Sequence, residues 1–120
     1  MAAFTKRKLS GSTDGMPIKI AQTATAGDTI HTAVAGTTAG TYDEIWLWAY
    51  NSHTAVVELT LEVGGATAPD QNIKVTIPPK VGSVPVCLGD IILQNEKVLK
   101  AFAAVANVIT LHGYVNSMTD

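Results

Sequence analysis

The sequence predicts an all-β protein, a β-sandwich or jelly-roll-like domain of about eight strands that follows an extended N-terminal arm. Short runs that alternate apolar and polar residues recur along the chain, and turn-forming residues separate them at the spacing of short strands. No segment shows the apolar period of a long helix. At 120 residues the chain fits one domain, which we place at residues 16–120 after an arm at residues 1–15.

The predicted arm carries the only basic cluster of the chain, Lys6, Arg7 and Lys8, whereas from Ser10 onward the chain has five lysines against ten acidic residues. Ordering so polar a segment costs about 1–2 kcal/mol per residue, so a partner or the body of the domain must hold it wherever it is ordered. Phe4 is the only aromatic residue near the cluster, which argues against nucleic acid as the partner. An acidic neighbour, including another copy, fits the cluster, and a solvated tail is the alternative.

Residues 18–22 and 29–35 are predicted as the first two strands of the domain, separated by a turn at 26–28. The second run is rich in β-branched residues. A glycine-containing loop at 36–41 then leads into the most apolar strand, residues 43–51, which contains both tryptophans of the chain.

The tryptophan strand is apolar on both faces, because alternate residues point to opposite sides of a strand. One face carries Ile45, Leu47 and Ala49, and the other carries Trp46, Trp48 and Tyr50. Such a strand must be covered twice, by its own core and by another layer or molecule, and the pattern does not say which face is the core. If the aromatic residues face outward, each could bury about 150–250 Å², and the patch would be an interface or a stacking platform for sugars.

The strand at residues 57–63 shows the clearest alternation, with Glu58, Thr60 and Glu62 predicted to face outward. The next strand, residues 73–77, places Lys74 outward, where it can pair with Glu58 or Glu62. Short apolar runs follow over residues 81–93. A strand is predicted at 98–103, with a helix over 96–106 as the alternative, and a last strand at 108–115.

No residues in the sequence have the spacing of a catalytic or metal site, so we predict no enzyme, no cofactor and no metal. His31, His53 and His112 lie on separate elements without ligand spacing. Cys87, the only cysteine, lies in an apolar run and is predicted to be a buried, inert thiol. There is no signal-peptide core and no apolar run long enough to span a bilayer, so we expect synthesis in the cytoplasm and no membrane partner.

Six segments carry a resemblance to a known family: FTKRKLS at 4–10, PIKIA at 17–21, TIHTAV at 29–34, DEIWLW at 43–48, LTLEVGG at 59–65 and LHGYVN at 111–116. The chain resembles small virion structural proteins of tailed bacteriophages. Some of these are similar to β-sandwich cement or decoration proteins that clamp capsid subunits, and others build collars or tail parts. The resemblance implies assembly and supplies no residue-level site.

These observations lead to the expectation of a capsid decoration protein that binds the outer shell surface. Its partners would be the major capsid protein and further copies of itself, as a dimer or trimer, and its location would be the virion. The residues expected at protein interfaces are Phe4, Lys6, Arg7, Lys8, Trp46, Trp48 and Tyr50. A collar, neck or tail accessory protein is one alternative, and a host-surface carbohydrate-binding β-sandwich is the other.

Overall fold

The structure, a computed structural model, describes residues 3–120 and contains nine β-strands within them. The strands are β1 Ala3–Lys8, β2 Ile18–Lys19, β3 Asp28–Thr32, β4 Tyr42–Asn51, β5 Val57–Val63, β6 Asn72–Ile77, β7 Val84–Leu93, β8 Val98–Ala103 and β9 Ile109–Thr119. Residues 1 and 2 of the predicted arm lie outside the described residues. Within residues 3–120, no helix is long and apolar enough to cross a bilayer.

The nine strands form two antiparallel sheets that pack as a sandwich, which confirms the predicted fold class. The first sheet has the order β1-β9-β4-β7, with β2 also paired to β9, and the second sheet has the order β3-β8-β5-β6. The chain changes sheets between β2 and β3, between β3 and β4, between β4 and β5, and again after β6, β7 and β8. This strand order is that of a jelly roll in which β1 and β2 together form one edge.

The core lies between the two sheets and is built from the inward faces of their strands. From the tryptophan strand it takes Ile45, Leu47 and Ala49, all fully buried. Leu111 and Val115 of the neighbouring strand β9 extend the same inward face, and the side chains opposite come from β5 and β8, among them Leu59, Leu61 and Leu99. The second sheet therefore covers the aliphatic face of β4, and the aromatic face of β4 points away from the core.

The described part of the predicted arm is held by the body of the domain. Strand β1 pairs with β9 along its whole length, from Ala3 opposite Thr119 to Lys8 opposite Tyr114. Leu9 follows directly and is only 1% exposed, packed in the core. All six side chains of β1 are exposed, so backbone pairing and the Leu9 side chain supply most of its attachment.

A bulge in β7 lies directly beside Trp46. Ile45 pairs with Ile91 but Trp46 pairs with Leu88, which leaves Gly89 and one further residue unpaired. Gly89 has a φ of 80°, and a Cβ atom there would lie 2.9 Å from the Trp46 ring. Glycine is needed at this position because the indole lies against the β7 backbone.

The outward face of β5 differs from the prediction at two positions, because Thr60, only 2% exposed, and Glu62 are both buried. Lys74 and Glu58 form the predicted surface pair, with Nζ 3.7 Å from Oε1. Glu62 also points to the outer side of its sheet but is only 1% exposed. The Gly27 N–H donates to Glu62 Oε1 at 2.6 Å and the Thr25 hydroxyl donates to Oε2, so the segment before β3 covers this carboxylate.

Candidate functional site

The candidate functional site is the outer face of the first sheet, which we call the aromatic face. The pairing registers place side chains on it in columns, one for each strand. The edge column has Phe4, Lys6, Lys8 and Lys19; β9 gives Thr110, His112, Tyr114, Asn116 and Met118; β4 gives Tyr42, Glu44, Trp46, Trp48 and Tyr50; and β7 gives Pro85, Leu88 and Ile92. The face thus has a basic margin, an aromatic centre and an aliphatic margin.

Four rings form the centre of the aromatic face. Trp46 stacks on Tyr114 with ring centroids 5.9 Å apart and on Trp48 at 6.4 Å, and Trp48 stacks on His112 at 6.3 Å. The planes of these pairs differ by 11° to 23°. Each ring is half-buried by its neighbours, so the cluster is rigid without any further layer over it.

Glu44 orients the central indole. Trp46 Nε1–H donates to Glu44 Oε1 at 2.7 Å, and Asn116 Nδ2–H donates to the same oxygen at 3.1 Å. These two bonds, the one from Trp46 foremost, lower the pKa of the Glu44 carboxyl below its ordinary value of 4.5. The carboxylate is therefore a fixed acceptor within the aromatic face.

The lowered pKa of Glu44 predicts a pH dependence of the aromatic face. The stabilisation from ionised Glu44 is complete above the ordinary pKa of 4.5 and is lost as the pH falls through the lower folded-state pKa. We expect tryptophan emission, followed from about pH 5 to pH 2, to change as the Trp46 bond weakens. The Glu44→Gln variant should lack this acid transition, whereas Glu96→Gln, in an exposed turn, should keep it. An unchanged transition in Glu44→Gln would contradict the assignment.

The basic margin borders the aromatic centre directly. The Lys6 ammonium group lies 4.2 Å from the centroid of the Tyr114 ring, a cation–π contact across the β1–β9 pair. Lys8 lies opposite Tyr114 and Lys19 opposite Thr110, both exposed. Arg7 lies on the other side of β1, because neighbouring residues of a strand point to opposite faces.

The aliphatic margin is the most exposed apolar part of the face. Leu88 is 49% exposed and Ile92 is 54% exposed, and both lie in the β7 column. Between them the exposed Asp90 projects from the bulge, with Oδ1 accepting the Leu88 N–H at 2.9 Å. This margin therefore combines apolar side chains with one carboxylate.

The structure brings most of the residues expected at an interface to this one face. The six that share it or its edge are Phe4, Lys6, Lys8, Trp46, Trp48 and Tyr50, and only Arg7 points elsewhere. Glu44, Tyr114 and Asn116 belong to the face but were not predicted from the sequence. Alternation in residues 110–118 could have indicated that Tyr114 and Asn116 share a face, but pairing of β9 with β4 is not a local signal.

A second polar cluster lies at the other side of β1, where His31 contacts Asp43. The Ser10 N–H donates to His31 Nδ1 at 3.0 Å, so the ring proton sits on Nε2, which donates to Asp43 Oδ2 at 2.6 Å. Val34 N–H donates to the same oxygen at 3.1 Å. The Ser10 hydroxyl accepts the Thr32 N–H. Both ring nitrogens of His31 thus form hydrogen bonds within the domain. Together with the Ser10 bond to Thr32, these bonds hold the end of β1 against β3 and β4.

The other potentially reactive side chains lie apart. His53 lies in the turn after β4, His112 stacks on Trp48, and residues 3–120 contain no group of His, Cys, Asp and Glu arranged to hold a metal ion. Cys87 is buried as predicted. Burial, reinforced by the nearby Asp90 charge, raises the pKa of its thiol to about 12, so it is protonated and unreactive at neutral pH.

Comparison with known proteins gives no relative from which to carry over a site. No protein-family model matches the chain, and neither the curated proteins nor the solved structures give a match.

Proposed function

We propose that this chain is a non-enzymatic structural protein of a tailed-bacteriophage virion, a decoration or cement protein that binds the outer surface of the capsid. Made in the host cytoplasm, it would bind the major capsid protein in the assembled particle and add contacts that hold the shell together. A protein that binds only the assembled state stabilises that state by mass action.

The observation that carries this proposal is the aromatic face. It combines four stacked rings with Leu88 and Ile92, and no other element of residues 3–120 covers it. Large contiguous apolar patches of this kind mark interaction sites in soluble proteins. Jelly rolls occur in viral capsid and lectin domains, an analogy that agrees with the sequence resemblance but does not by itself assign a function.

The proposal is tested on particles assembled with and without this chain. Particles that contain it are expected to carry hundreds of copies and to release their DNA at a higher temperature, or after a stronger osmotic shock, than particles that lack it. Equal resistance of the two kinds of particle would contradict a cement role. A few to dozens of copies per particle would favour the alternative, a collar, neck or tail accessory protein.

A carbohydrate-binding function is the second candidate because polar groups border the rings. Glu44 and Asn116 lie beside Trp46, where their oxygen and nitrogen atoms can contact hydroxyl groups of a sugar stacked on the indole. In that case a glycan array should show binding that is lost in Trp46→Ala and in Trp48→Ala. The matched control is Phe102→Ala on the second sheet, which should leave binding unchanged.

A further inference from the structure

We propose that a second copy of this chain covers the aromatic face, so that the protein is a two-fold symmetric dimer with its two first sheets packed face to face. This inference rests on the proposed function of an assembly protein and names a second copy as the partner of the aromatic face. The capsid shell would then be contacted through the second sheet and the outer edges of the dimer. Three features of the face support it: the position of its charges, its area, and the strand registers that set which residues would meet.

The registers fix what a two-fold axis brings together. An axis in the plane of the interface, parallel to the strands and between β9 and β4, lays β9 of one copy on β4 of the other and β1 on β7. Residues at the same height along the strands then face each other. Tyr114 meets the Trp46 of the second copy, and the Lys6 and Lys8 positions meet the stretch of β7 between Ile92 and Leu88.

The charges on the two margins are complementary at that height. Asp90 projects from the bulge between Ile92 and Leu88, so its carboxylate faces the gap between Lys6 and Lys8 of the second copy. The symmetry produces this contact twice. Sheets packed face to face are rotated by about 30°, which shifts the margins by about 3 to 4 Å, or one residue, within reach of a lysine side chain.

The alternative two-fold arrangement is unfavourable. An axis perpendicular to the strands in the interface plane lays β1 on β1, so Lys6 and Lys8 of the two copies meet like charges. The basic margin therefore favours the axis parallel to the strands, because in that arrangement Lys6 and Lys8 of one copy face Asp90 of the other.

The area of the face is sufficient for a stable dimer. The edge column has eight residues (β1 with β2), and β9, β4 and β7 have eleven, ten and ten, so at about 4.8 Å between strands the face covers roughly 600 Å². Two copies would bury about 1,200 Å², the lower limit of standard interfaces. The centre would be aromatic and the margins charged, the anatomy of a specific interface.

The test uses the full chain in solution. Sedimentation velocity over about 1–200 µM is expected to show a reversible monomer–dimer equilibrium for the natural chain. Both tryptophans of the chain lie on the aromatic face, so their emission should shift to longer wavelength on dilution as the dimer dissociates.

Charge reversal identifies the face. The variant Lys6→Glu/Lys8→Glu is expected to weaken the dimer at least tenfold, and Asp90→Lys should do the same, because each places like charges across the interface. The triple variant Lys6→Glu/Lys8→Glu/Asp90→Lys restores opposite charges and should recover most of the affinity. A matched control with the same charge changes on the second sheet and its loops, Lys74→Glu/Lys97→Glu/Asp70→Lys, should dimerise like the natural chain.

Several results would overturn the dimer. These are a monomer throughout the concentration range, a trimer, a dimer insensitive to the face variants, and a triple variant no better than its parents. Thermal melts of each variant at low concentration separate lost association from lost folding. A solution dimer that is absent from particles would contradict the proposed function alone, and particles with hundreds of separate monomers would contradict the dimer alone.

Discussion

Replacing His31 by leucine is expected to lower the free energy of unfolding by about 3 kcal/mol. The substitution removes the Nε2–H donor to Asp43 and the Nδ1 acceptor for the Ser10 N–H, while Asp43 stays buried with Val34 as its remaining donor. A buried carboxylate that loses its main partner keeps the cost of desolvation without the compensating bond. Urea unfolding followed by circular dichroism measures the difference.

The control for this prediction removes both partners. In His31→Leu/Asp43→Leu the buried charge is gone, so we expect the double variant to be more stable than His31→Leu alone. If the two variants unfold at the same urea concentration, Asp43 is not held in the folded state by His31. Replacing His53 by leucine, in the turn after β4, should change stability by less than about 0.5 kcal/mol.

Truncating Leu9 to alanine is expected to cost about 2–5 kcal/mol, the range for leucines that are fully buried. Of the described arm residues 3–15, only Leu9 has a side chain in the core, and it follows directly on β1. We therefore expect hydrogen exchange at the β1 amides to accelerate together with the loss in stability.

Leu88→Ala is the matched control for Leu9→Ala. The same atoms are removed from a side chain that is 49% exposed in the isolated chain, so at low concentration the cost should be well below that of Leu9→Ala. Similar losses in the two variants would show that the segment through Leu9 adds little to the folded domain.

The sequence predicts the two faces of β4 but not which of them is inside. Alternation separates Ile45, Leu47 and Ala49 from the aromatic residues, and both sets are apolar enough to form a core. The choice depends on which face the second sheet covers, and that sheet is assembled from strands distant in the sequence. Topology, a non-local property, therefore decides the direction of Trp46 and Trp48.

Strand β1 could not be recognised from its residues. Edge strands with every side chain exposed have no buried face, so they carry no apolar alternation for a sequence pattern to reveal. The adjacent cations Lys6, Arg7 and Lys8 look like a solvated tail for the same reason. Their pairing with β9 places Lys6 beside Tyr114, more than 100 residues away along the chain.

The burial of Glu62 shows a different limit of prediction from the sequence. Its alternation with Leu61 correctly indicates an outward direction, but an outward direction predicts exposure only where no loop covers the sheet. Thr25 and Gly27 come from a segment that reads as a turn, and their contact with Glu62 depends on where that segment crosses β8 and β5. Contacts between a loop and a sheet leave no periodic signal.

The most direct test of the central claim is oxidative footprinting of Trp46 and Trp48 in the isolated chain and in its assembled state. The claim is that this protein works by association through the aromatic face. We expect both indoles to react in dilute chain and to be strongly protected in the assembly, while Met16, exposed in the loop before β2, reports on general access. Equal oxidation of the two tryptophans in both states would contradict the claim.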